Sequence, residues 1–266
     1  EVVEGPPGQG KSIYTVHKTV ELLLRNEKWF KQESLRFAKD PSVFVPKDTD
    51  VPEFDDVSQH MEWLQQFKPQ KRKVGPNLKF AKHFEARWDG WIDYWSDSEE
   101  LTQRHDQDII WDEIATELDS RNWPNLSTEM KRFLSQYRKR GIDIYANTQD
   151  FSMIDQRARL MITSVKTLYK FMGSQDISTT KPPPKRIWGL ILIREVLNFK
   201  ETNPEKKKYE MLPSFMLITR DLVEAYDTRQ DIRLGAPPKL RHEVRYCEFY
   251  GTPGHVCENH TKITHS

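Results

Sequence analysis

From Ile13 onward, Ile13, Val16, Val20, Leu23 and Leu24 recur at helical spacing and give a helix one apolar face. Val2 and Val3, just ahead, read as the end of a strand that the chain enters partway along. After the helix the periodicity fails. Prolines at 41, 46, 52, 69 and 76 interrupt the pattern, and the stretch from about 29 to 90 reads as an irregular insertion carrying short elements. At Trp91 the alternation returns: Trp91-Ile92-Asp93-Tyr94-Trp95 reads as a short strand, and Ser96 or Asp97 caps a helix start behind it. Asp108 to Trp111 is an apolar strand that runs into two carboxylates, Asp112 and Glu113. A helix is then expected from about Ser127 to Arg140, stopped by Gly141. Ile142 to Ala146 is a buried strand with a polar end, Asn147 to Asp150, after which Ser152 is expected to cap a helix and Ser164 to Phe171 to form a strand.

Strands alternating with helices predict an α/β fold with a mainly parallel sheet flanked by helices. In such sheets ligands bind beyond the carboxyl ends of the strands, which is where the polar groups collect here. Past Gly173 the chain changes character. A polar, proline-rich loop leads to two strands, Ile187 to Lys200 and Tyr209 to Ile218, joined by a charged turn into a β-hairpin region, and a helix from about Thr219 to Tyr226 closes the domain. The expected organisation is one domain over 1–230 and a tail over 231–266.

Composition narrows the class without naming a chemistry. The chain has 266 residues, 36% hydrophobic and 30% charged, with a mean hydropathy of −0.78. No apolar run approaches the ~18 residues of a membrane span; the best, Ile187 to Val196, is broken by Arg194 and Glu195. A net charge of +1 makes no bulk electrostatic case for nucleic acid. The basic cluster Lys71-Arg72-Lys73 reads as a solvated loop in preference to a nucleic-acid contact. Two cysteines fit a reducing compartment.

The chemistry lies in Gly5-Pro6-Pro7-Gly8-Gln9-Gly10-Lys11-Ser12, which fits G-x-x-x-x-G-K-[ST]. In that pattern backbone N–H groups wrap a phosphate chain at a helix N-terminus, so Gly5 to Ile13 is the expected nucleotide-binding run. Lys11 would reach the β- and γ-phosphates, and the Ser12 hydroxyl would ligate Mg²⁺. Asp112 is the expected second Mg²⁺ residue, and Glu113 the base that activates water. Gln149, at the polar end of the next strand, is the expected partner of the γ-phosphate or the water, chosen from Asn147, Thr148 and Gln149. ATP hydrolysis with Mg²⁺ is the predicted reaction.

These motifs, with Trp123-Pro124, the run from Arg138 to Asp143, Thr148-Gln149, and Ile154-Asp155 with Arg157 and Arg159, resemble the zonular occludens toxin (Zot) family, which includes filamentous-phage assembly ATPases. The resemblance covers about residues 1 to 170 and weakly reaches Tyr226. It implies a RecA-like P-loop NTPase related to FtsK/HerA-type pumps, in which Walker A and Walker B elements power DNA export. Implied partners are further copies in a ring such as a hexamer, phage DNA or a DNA–protein complex, and membrane or export-channel proteins. The implied location is the cytoplasm beneath the host inner membrane. Family members commonly carry a transmembrane helix after the ATPase domain; none is visible here, so the membrane would be reached through a missing segment or a partner. An arginine acting from the neighbouring subunit is also implied, with Arg159 favoured, Arg157 next, and Arg138 and Arg140 as further candidates. Two other readings remain open: an ATPase that packages a viral genome, and a scaffold gated by nucleotide without turnover, against which Glu113 and Gln149 speak. In the tail, Cys247, His255, Cys257 and His260 are a set that zinc would accept, but their spacing is not a standard one and an ordinary tail is the preferred reading.

Overall fold

The computed structural model describes residues 1–173, 187–197, 199–200, 206, 208–210 and 212–225. The zinc candidates in the tail, most of the proline-rich loop and the boundary near 230 lie outside these residues. A seven-stranded sheet forms the centre, with β1 (Val2–Glu4), β2 (Val74–Pro76), β3 (Asp108–Trp111), β4 (Asp143–Thr148), β5 (Val165–Gly173), β6 (Ile187–Glu195) and β7 (Ser214–Thr219) in the order β2-β3-β4-β1-β5-β6-β7. The five strands from β2 to β5 run parallel, and β6 and β7 extend the sheet antiparallel, as the hairpin reading expected. β4 therefore stands between β1, which leads into the glycine loop Gly5–Gly10, and β3, which leads into Asp112-Glu113.

Both faces of the sheet are covered, so β3 is apolar throughout. Ile109 and Trp111 enter the core on one face and Ile110 on the other, as a period of two requires, and all three are fully buried. On the first face Met130, Phe133 and Leu134 of α5 (Thr128–Gln136) and Ala158 of α6 (Gln156–Met161) close over Trp95, Trp111 and Ile142. On the second, Val16, Leu22 and Leu23 of α1 (Lys11–Lys39) pack on Val74 and Ile110, with Leu222 and Ala225 of α7 (Arg220–Ala225) beside them.

Several expectations need correction. α1 continues to Lys39, so the irregular segment starts at Asp40 and not near 29, and Leu24 is exposed, off the buried face. The insertion supplies strand β2, whose three residues, two of them Gly and Pro, carry no readable alternation. Trp91 to Trp95 does not form a strand; only Ile92 bridges to Val74, while Trp95 turns inward and its indole N–H donates to the Gly75 carbonyl at 2.9 Å. Asp97 does cap, in a capping box with Glu100, but the element is a 3-10 helix, Ser98–Gln103. Ser152 is not a cap. Asp150 caps a 3-10 turn, Phe151–Met153, and Asp155 caps α6.

Arg72 is no solvated loop residue either. Its guanidinium donates to Asp108 at 2.9 Å, to Asp143 at 3.1 Å and to the Gly141 carbonyl at 2.7 Å. Asp108 is fully buried and also accepts from Arg25 and Asn26 of α1, each at 2.8 Å. This buried carboxylate locks α1 to the start of β3, since removing charge partners from such a site is costly. Among the described residues no helix is long and apolar enough to cross a membrane.

Candidate nucleotide-binding site

β1 delivers the chain to Gly5 at the carboxyl edge of the sheet, and the loop to Gly10 turns it back into α1. Gly8 and Gly10 take φ of 82° and 87°, in the left-handed region that favours glycine. At Gly10 a side chain is excluded twice over, because a Cβ would also collide with Ile191 Cδ1 of β6. Gly10 is the N-cap of α1 and has no side chain to satisfy the first-turn amides, which leaves them available to an anion. Gln9 braces the loop from below: its Oε1 accepts from the Lys170 amide of β5 at 2.7 Å.

Lys11 is buried and curls under the loop, donating from Nζ to the carbonyls of Gly5 at 2.8 Å and Pro6 at 3.3 Å. Burial pushes its pKa down, while the carboxylates of Glu113 and Asp112 act in the opposite direction. The acidic pair thus lies close enough to act on the lysine, although a hundred residues separate them in the chain. Ser12 is half-buried on the first turn of α1.

Asn147, fully buried at the end of β4, organises the acidic corner. Its Nδ2 donates to Thr15 Oγ1 at 2.8 Å and to Asp112 Oδ1; its Oδ1 accepts from the Glu113 amide at 2.9 Å, and its carbonyl from the Ile114 amide at 2.9 Å. Thr15 in turn donates to the Lys11 carbonyl at 3.0 Å, so hydrogen bonds run continuously from the first turn after the glycine loop through Asn147 to Asp112. Asn77, just after β2, holds Asp112 from the other side: its Oδ1 accepts from the Asp112 amide at 2.7 Å and its Nδ2 donates to the Asp112 carbonyl at 3.1 Å. Between these anchors Glu113 takes a φ of 54°, an uncommon conformation for a residue with a side chain and one that must be held by its surroundings. Beneath the loop, buried Glu4 accepts from Thr167 Oγ1 at 3.0 Å and from the Phe151 amide at 3.2 Å, tying β1 to β5 and to the segment after β4.

The fold therefore brings Lys11, Asp112 and Glu113 to one end of the sheet, with Ser12 one residue from the lysine. Gln149, by contrast, is exposed beyond the end of β4, and Asn147 makes the contact with Asp112. Arg157 pairs with Asp155 at 3.0 Å and lies over the Trp123 ring, and Arg159 lies over the Phe151 ring. Arg140 donates to the Thr102 carbonyl, and Arg138 is exposed. Sequence reasoning gave no role to Thr15, Asn77 or Glu4, and placed Asn147 second to Gln149. Strand alternation sets Asn147 apart from Thr148, because Asn147 shares its face with Tyr145, which packs on the α1 side; it does not set it apart from Gln149, two residues on, which lies past the end of β4. Asn77 has no such signal, since its strand was not legible. Among the described residues no group of three or more His, Cys, Asp or Glu side chains could hold a metal ion.

A glycine loop between the central strand and a helix, an acidic corner one strand removed, and a polar hub on the strand between them define the RecA-like P-loop NTPase fold. No family model matches the chain, and the search of curated proteins gives no match. Among solved structures, the chain is similar to the N-terminal domain of zonular occludens toxin from Neisseria meningitidis, with 16% identity and a TM-score of 0.40 over 85% of this chain and 97% of that one. It is also similar to the genome packaging NTPase B204 from Sulfolobus turreted icosahedral virus 2 in complex with ATP-gammaS, with 11% identity and a TM-score of 0.34 over 79% of this chain and 95% of that one. The same NTPase in complex with AMP gives a TM-score of 0.35. These likenesses are distant, and the fold stands on the strand order and the loop geometry.

Proposed function

We propose that this chain is a Mg²⁺-dependent ATPase whose turnover drives phage assembly by moving DNA across the host membrane. The observation that carries the catalytic part is the convergence of Lys11, Asp112 and Glu113 through the hydrogen bonds of Thr15 and Asn147. The export part rests on the Zot-like motifs from Asp112 to Arg159. The donor set suits the metal: the Ser12 hydroxyl and the Asp112 carboxylate are hard oxygen ligands of the kind Mg²⁺ takes. Bound there, Mg²⁺ would neutralise charge on the phosphate oxygens.

The chain's own groups do the rest. The loop amides and the first turn of α1 bind the phosphates. Lys11 exchanges its carbonyl partners for β- and γ-phosphate oxygens, and the neighbouring carboxylates favour its charged form against burial. Glu113 takes a proton from water as the water oxygen bonds to the γ-phosphorus and the bond to the β-bridging oxygen breaks, releasing ADP and phosphate. Gln149 orients that water or the γ-phosphate. Arg159, or failing it Arg157, supplies positive charge from a neighbouring subunit of a ring, which requires it to leave its present aromatic or carboxylate partner. Phosphate release with ATP, with and without single-stranded DNA, tests this reading. Mg²⁺-dependent turnover that DNA accelerates and Lys11→Ala abolishes is expected; wild-type turnover in Lys11→Ala would show that the loop is not the site.

A further inference from the structure

α1 has 29 residues and is roughly 43 Å long, whereas a six-residue strand of the sheet spans about 20 Å. Its far end overhangs the amino ends of the strands and carries the segment after Asp40, anchored where Phe37 meets Phe44 edge-on at 5.5 Å between ring centroids. From Asp48 to Glu62 this lobe has six carboxylates and no lysine or arginine. All six are exposed, and none joins an ion pair among the described residues. Val51 and Val57 stand among them, 58% and 77% exposed. A lobe this acidic with bare valines is an unusual surface for a chain with a net charge of +1.

The opposite face of the sheet has the complementary surface. A cavity of about 600 Å³ opens between the end of α6 and the segment after β6, with Leu160, Leu197 and Phe199 on its walls and Arg138 and Lys200 at its rim. Leu160 and Leu197 are 64% and 62% exposed. Neither cation forms an ion pair among the described residues; each lies over a neighbouring ring, Tyr137 or Phe199. The cavity belongs to the α5–α6 side, where Met161, Ile162 and Phe199 pack on the core, and the lobe follows α1 on the other side.

We infer that the acidic lobe of one copy seats in the basic, leucine-lined cavity of the next, making a head-to-tail contact between copies of this chain. Charge complementarity chooses the occupant: carboxylates meet Arg138 and Lys200, and the exposed valines meet the exposed leucines. Because the two surfaces differ and lie on opposite faces, the contact is heterologous and repeats from copy to copy, closing into a ring if the rotation allows. That copies associate already belongs to the ATPase reading; which two surfaces meet goes beyond it and rests on the lobe and the cavity alone.

The test is a charge exchange read by light scattering on a sizing column and by sedimentation. One variant carries Asp50→Lys, Glu53→Lys and Asp55→Lys, whose side chains make no hydrogen bond or ion pair among the described residues; the other carries Arg138→Glu and Lys200→Glu. The wild-type chain should self-associate, and its apparent dissociation constant should weaken on the order of tenfold between low and high salt. Each variant alone should remain folded by circular dichroism and run as a monomer. An equimolar mixture should recover association, since every reversed lobe then finds a reversed cavity. A wild-type chain that stays monomeric at about 100 μM in low salt would overturn the inference, as would variants that associate like the wild type, or a mixture of folded variants that does not recover. An acidic peptide of another protein filling the cavity of a monomeric wild-type chain would also overturn it. Loss of ATP turnover in a chain that still assembles would count against the ATPase reading alone.

Discussion

At the scale of single residues the acidic corner depends on Asn147. This buried amide uses both amide hydrogens, on Thr15 and Asp112, and its side-chain oxygen fixes the Glu113 amide in a left-handed turn. Asn147→Ala should leave Asp112 and Glu113 in the chain but free to move. We expect ATP binding to change by less than about tenfold while kcat falls about 10- to 100-fold, the scale of a misplaced catalytic group. Leaving the Glu113 amide unpaired should also cost about 1–3 kcal/mol of stability in urea. A variant with unchanged kcat and reduced stability would make Asn147 a purely structural residue. The meeting of Lys11 with Asp112 and Glu113 was legible in the sequence because a glycine loop is contiguous and an acidic strand end is a short pattern. Asn147 was harder to single out. Three polar residues share that strand end; alternation turns Thr148 away, and the end of β4 at Thr148 together with the packing of α1 makes Asn147 and not Gln149 the one that meets Thr15.

At the scale of elements, periodicity locates a helix only while the helix has an apolar face. After Leu23 the apolar face of α1 thins to one residue in seven, Phe30 against Trp91 and Phe37 against Phe44, and between them the outer half is held by helix-forming residues and by pairs such as Lys31 with Glu27 and Arg36 with Glu33. Its true length was therefore hidden, and with it the overhang that carries the acidic lobe. α6 shows a different difficulty, because its cap is Asp155 and not the serine three residues earlier. Burial acts to raise the Asp155 pKa, but hydrogen bonds and charge from Arg157 outweigh it and hold the carboxyl below its ordinary 3.8. A carboxyl lowered on folding stabilises the fold above its unfolded value and loses that contribution as pH falls through the folded one. Asp155→Asn keeps a capping oxygen and removes the charge. The variant should be less stable than wild type at neutral pH by under about 1 kcal/mol, given the exposure of Arg157. The gap should close as the pH is taken below the ordinary carboxylate value. Urea midpoints across that range check this; a gap that widens in acid would contradict it.

At the scale of the whole molecule, the alternation of strands and helices was enough to predict a parallel sheet with an antiparallel hairpin. It did not give the strand order. β2 is too short and too rich in Gly and Pro to be read, yet it supplies the edge from which Asn77 reaches Asp112. The order β3-β4-β1 has a structural consequence: it sets one strand between the glycine loop and the acidic corner, and so gives Asn147 the span to join them. The central claim is that this corner performs hydrolysis with Glu113 as the base. It is tested most directly by measuring ATP affinity and single-turnover phosphate release in Glu113→Gln, which preserves the backbone amide held by Asn147. The account predicts near-normal ATP binding with release slowed at least ~10²-fold. Release at the wild-type rate, from a variant that binds ATP normally, would contradict it.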